Sequence, residues 1–145
     1  MATHVRDFLG RPDQVRAARR FVAHLLPGGA AVAVAQLLVS EAVTNALLHT
    51  ASGHEGGVFK VVCSVHPSLL RVAVRDGGAP IAPRRRVHGL ESVTGRGLEL
   101  FDALAARWGV EGGPAGRTVW FELRLDQEAE DGVDGRSLRS GPARP

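Results

Sequence analysis

The chain has 145 residues, 44% apolar and 23% charged, and its one cysteine, Cys63, excludes an internal disulfide and a thiolate metal cluster. The formal charge of +3 rests on 17 arginines and one lysine, Lys60, without helical periodicity, and with only seven aromatic residues direct nucleic-acid binding is not expected. No apolar run approaches the ~20 residues that span a bilayer, and Met1–Gly10 has no signal-peptide core, so the expectation is a cytoplasmic protein that does not bind membranes.

The first ten residues, with His4, Arg6 and Asp7, give no clear element. Pro12 suits a first helical turn, and Val15, Ala18, Arg19, Val22 and Leu25–Leu26 continue a helical stripe to Leu26. Pro27-Gly28-Gly29 stops it. A second helix, rich in Ala and Leu, is predicted from Ala30 to Thr50. Its line Val34, Leu38, Glu41, Asn45, Leu48 has core-facing spacing, so a carboxylate and an amide are expected on a buried face. Burying them without partners costs on the order of 1–3 kcal/mol each, so backbone, water, a metal or a ligand must meet them.

Ser52 to Gly57 is a loop. Val58–Val65 and Leu69–Arg75 read as an antiparallel hairpin turning at His66-Pro67-Ser68, with Cys63 as inert core. Asp76-Gly77-Gly78-Ala79-Pro80 breaks the second strand. The segment from Ile81 to Thr94 has no period and carries Arg84-Arg85-Arg86, a run read slightly in favour of a solvated basic loop over a contact with phosphate or a partner. Gly95-Arg96-Gly97 leads into a helix from Leu98 to Arg107. A short strand at Trp108–Glu111, a turn at Gly112–Gly116 and a strong strand from Arg117 to Leu125 complete the pattern. From Asp126 five acidic residues face three arginines, and Val133 and Leu138 are the only sizeable apolar side chains, so 126–145 is expected to be a disordered tail. The fold class is α+β: residues 1–125 form one domain, with helices on one face of a mixed, mostly antiparallel sheet.

Four segments can carry chemistry. Asn45 offers a neutral oxygen of the kind magnesium takes beside phosphate and water. Glu41, one turn earlier, is a carboxylate that can accept a proton from a substrate hydroxyl. Asp76 at a strand end can accept from the exocyclic amine of adenine, and Gly77 and Gly78 let the backbone approach the base. Gly95 and Gly97 precede a helix N-terminus, which suits phosphate. Gly116-Arg117-Thr118 opens the last strand. Singly, an Asp-Gly-Gly is also an ordinary turn and a Gly-x-Gly ordinary punctuation.

In order and spacing these segments resemble the GHKL ATPase superfamily, with its Bergerat-type nucleotide fold, and within it the anti-sigma-factor serine/threonine kinases of actinomycetes. Glu41-Ala42-Val43-Thr44-Asn45-Ala46 resembles the N box and Asp76-Gly77-Gly78-Ala79-Pro80 the G1 box. Gly95-Arg96-Gly97-Leu98-Glu99-Leu100 resembles the G2 box. Trp108-Gly109-Val110 with Gly116 to Leu123 resembles the C-terminal signature. The resemblance implies ATP and Mg2+ as cofactors. Asn45 is then the metal ligand, Asp76 the adenine acceptor, and Gly78 and Thr118 pocket residues. Gly95, Arg96, Gly97 and Leu98 lie by the phosphates, Arg84 to Arg86 in the lid, and Glu41 is the catalytic base. His49 is placed at the pocket edge, with a structural role preferred. The implied partners are a sigma factor, an anti-anti-sigma antagonist, or both, and the implied assembly is a homodimer. The implied function is an anti-sigma factor and protein kinase. A catalytically silent ATP-binding module that regulates by binding alone is the alternative.

Overall fold

The computed structural model describes residues 1–49, 54, 56–77, 98–113 and 115–125. The elements in chain order are β1 (Ala2–Leu9), α1 (Gln14–His24), α2 (Ala30–His49), β2 (Val58–Val65), β3 (Leu69–Arg75), α3 (Leu98–Leu104), β4 (Arg107–Gly113) and β5 (Gly116–Arg124). The five strands form one sheet in the order β1-β2-β3-β5-β4. All four pairings are antiparallel, so among the described residues the sheet is purely antiparallel and not mixed. The lid segment with Arg84 to Arg86 and the tail from Asp126 lie outside the described residues.

The hairpin β2–β3 has the predicted limits. It closes where the His66 N–H donates to the Leu69 carbonyl at 2.8 Å. Alternation sets its register: Phe59, Val61 and Cys63 on β2 and Leu70, Val72 and Val74 on β3 all point to the core. Val119, Phe121 and Leu123 on β5 continue that face, and the helices cover it. Aromatic rings bind the layers together. Phe8 stacks on Phe59 at 5.1 Å and meets Phe21 of α1 edge-on at 5.9 Å. Phe101 of α3 stands edge-on to Phe121 at 5.8 Å and to Trp108 at 5.7 Å. Trp108 also donates from Nε1 to Asp102 Oδ1 at 2.7 Å, tying β4 to α3.

The helix boundaries are tighter than expected. α1 starts at Gln14, because Pro12 sits in a preceding turn in which Gln14 N–H donates to Arg11 O at 2.9 Å. Asp13 holds the N-cap position but does not cap. Its carboxylate takes two bonds from the Arg11 guanidinium, at 3.2 and 2.9 Å. α1 ends before Gly28 and Gly29, whose φ of 114° and 98° no ordinary side chain adopts readily. α3 stops at Leu104 because the chain turns into β4 at Arg107. β1 has no counterpart in the sequence reading. It is an edge strand on which only Phe8 is buried, so it lacks an apolar period.

The core line of α2 also differs from expectation. Ala35, Leu38, Val39, Ala42, Val43 and Ala46 are buried, whereas Leu48 is 70% exposed. Glu41 and Asn45 lie half-buried on the border of that face. The helix is apolar almost all round, so spacing alone cannot select its buried side. For the same reason Ala30–Leu48, with a mean hydropathy of 1.6, is long and apolar enough to cross a membrane, contrary to the reading of the sequence. Here it packs on α1, β3 and β5 as a core helix.

The outer face of the sheet carries a polar lattice. Glu122 accepts from Arg71 Nη1 at 3.2 Å and pairs with Arg107 at 3.6 Å. The Arg71 guanidinium lies 4.2 Å from the Trp120 ring centre. Trp120 lies flat over Gly109, where an added Cβ would stand 2.8 Å from the indole. Gly109→Val is therefore expected to lower stability by about 1–3 kcal/mol through overpacking, read by denaturant titration. A midpoint equal to the parent's would show that the indole moves aside freely.

Burial pushes the Cys63 thiol up to about 11 from its ordinary 9.0. The folded chain holds that proton more tightly than the unfolded chain. This contribution to stability is whole below pH 9.0 and declines as pH rises toward about 11. A thiol reagent at pH 8 is expected to leave the folded protein unmodified and to label it only in denaturant. Labelling of the folded protein would place Cys63 outside the core.

Candidate functional site

β5 returns between β3 and β4, which sets two segments 41 residues apart in sequence side by side. Arg75 is the register partner of Thr118, so Asp76, just past β3, meets the start of β5. Asp76 is in phase with Leu70, Val72 and Val74 and shares their buried, helix-covered face. Arg117 is in phase with Val119, Phe121 and Leu123 and faces the same way.

These two charged side chains hold each other. The Arg117 backbone N–H donates to Asp76 Oδ1 at 3.1 Å, and Arg117 Nε donates to Asp76 Oδ2 at 3.4 Å. The Asp76 N–H donates back to the Arg117 carbonyl at 2.8 Å. The Asp76 side chain is 2% exposed and that of Arg117 10%. On the opposite, outer face Gly116 leaves room for the Arg75 side chain: a Cβ there would lie 2.9 Å from its guanidinium and 3.5 Å from the Asp76 carbonyl.

Thr118 stands on the other side. Successive residues of a strand point to opposite faces, so Thr118 cannot share the face of Arg117. Its hydroxyl instead accepts from Arg75 Nη1 at 3.5 Å on the outer face. Asp76 and Thr118 are adjacent along the backbone pairing but separated by the sheet. Arg117, which the motif reading passed over, occupies the position beside Asp76. An arginine in the buried phase of an otherwise apolar strand was the signal for it.

α2, which carries Glu41 and Asn45, packs on β3 and β5. Gln36 donates to the Arg19 carbonyl of α1 at 3.4 Å. Glu41 lies about 140° round the helix from Gln36, so the Glu41–Asn45 flank faces away from α1. Both residues are half-buried, which leaves them within reach of a ligand. Among the described residues no group of three His, Cys, Asp or Glu could hold a metal alone. A single amide oxygen suits an ion that keeps phosphate and water as its other ligands, and Asn45 fits that requirement. Gly78, Gly95, Arg96 and Gly97 lie outside the described residues, and Leu98 is the first residue of α3. The described concavities near the start of α1 are lined by Val15, Arg16 and Arg19 and by Leu9, His54 and Gly57, and neither includes a candidate residue.

The family model described as a histidine kinase-like ATPase domain matches residues 8–123. That span takes in all four motif segments. No curated protein matches the chain.

Proposed function

The chain belongs to the histidine kinase-like ATPase domain family, and on that premise we propose that it is a cytoplasmic anti-sigma factor and serine/threonine kinase acting on an anti-anti-sigma antagonist. The observation that supports this reading best is the placement of Asp76. A carboxylate only 2% exposed ends the central strand β3 on the face that α2 covers. In this reading Asp76 accepts from the adenine amine. Asn45 holds the magnesium, which when bound offsets phosphate charge. Glu41 accepts the proton of the antagonist's hydroxyl as that oxygen bonds to the γ-phosphorus. The bond to the bridging oxygen breaks, and ADP leaves.

The test is incubation with ATP, Mg2+ and a set of small candidate antagonists, followed by intact-mass analysis. The expected result is one antagonist gaining the mass of a single phosphoryl group. ATP binding with no modified antagonist across a full set would support the silent binding module instead.

A further inference from the structure

The Asp76–Arg117 pair is more than the core requires. Their neighbours in phase are Val72, Val74, Val119 and Phe121, so an apolar pair would continue the surrounding pattern. Burying two charges against each other rarely stabilises a fold more than apolar residues of equal volume. The pair therefore calls for a reason in its chemistry.

We propose that Arg117 is a positioning residue that sets base specificity, by fixing the direction in which the Asp76 carboxylate accepts. The proposal rests on the reading in which Asp76 receives the adenine amine. A free aspartate carboxylate turns over a broad, two-fold torsional well. Here the backbone N–H of Arg117 holds Oδ1 at 3.1 Å and its guanidinium Nε holds Oδ2 at 3.4 Å. With both oxygens held, the directions in which the carboxylate accepts are fixed. A fixed acceptor favours an amine and rejects a carbonyl, because a carbonyl would set two acceptors against each other in a dry site. Every variant at position 117 other than proline keeps the backbone N–H. Substitution therefore removes only the guanidinium half of the clamp.

The experiment titrates the full chain with three triphosphates: ATP, inosine triphosphate, in which a carbonyl replaces the amine, and purine riboside triphosphate, which lacks both. The parent is expected to prefer ATP over inosine triphosphate by about tenfold or more. In Arg117→Met the preference is expected to fall within about threefold, with purine riboside triphosphate affinity almost unchanged. Arg117→Lys keeps the charge but loses the planar fork, and is expected to lie between the two. It carries the test if the methionine variant does not fold.

A folded Arg117 variant with the parental preference overturns the proposal. An equal loss of affinity for all three nucleotides also overturns it, since that is the mark of a structural strut. Parent protein that binds no ATP, or does not distinguish ATP from inosine triphosphate, removes the underlying role of Asp76 and the proposal with it.

Discussion

Replacing Glu41 by glutamine is expected to leave ATP bound and to slow phosphoryl transfer by about 10²–10⁴-fold, the usual worth of a general base. Glu41 is half-buried on the flank of α2 that faces away from α1, one turn before Asn45. A carboxylate near phosphates repels them, so a protein that only binds ATP has no use for it there. Glutamine keeps the shape and removes the ability to take a proton. Single-turnover transfer to the modified antagonist, beside calorimetry with ATP, separates the two effects. Transfer at the parental rate would refute the base role. Loss of ATP affinity with transfer otherwise intact would assign Glu41 to ordering the metal's water.

Asp76→Ala is expected to cost about 3–5 kcal/mol of folding stability as well as ATP binding, because it leaves a buried guanidinium without its counter-charge. The Arg117 side chain is only 10% exposed and cannot turn to solvent without leaving the core face. Adding Arg117→Met to Asp76→Ala is expected to recover much of the stability and none of the binding. Thr118→Val is expected to leave ATP affinity within about twofold, since its hydroxyl bonds Arg75 on the outer face. Denaturant titration and calorimetry read both quantities. A loss below about 1 kcal/mol in Asp76→Ala would mean that the pair is solvated in solution. A tenfold loss in Thr118→Val, by contrast, would bring Thr118 back to the nucleotide side.

The parts of this fold with a strong local period were legible in the sequence. β2, β3 and β5 alternate apolar and polar residues, and their limits came out within a residue. β1 did not, since an edge strand with one buried residue has no alternation to detect. α2 was legible as a helix but not in its orientation. An apolar residue on nearly every side hides which side is buried, and Leu48, expected in the core line, is 70% exposed. The motif segments were legible through their order and spacing. What they could not convey was facing. Thr118 belongs to the motif, yet strand phase turns it away from Asp76 and turns Arg117 toward it. That phase was present in Val119, Phe121 and Leu123, and reading it through to position 117 identifies the buried arginine.

The central claim is a nucleotide site on the helix-covered face, where Asp76 meets the base and Asn45 the metal. Calorimetric titration of the full chain with ATP and with GTP, each with and without Mg2+, tests it most directly. ATP is expected to bind more tightly than GTP, and more tightly with Mg2+ than without it. No heat with ATP at millimolar concentration, or equal affinity for the two nucleotides, would contradict it.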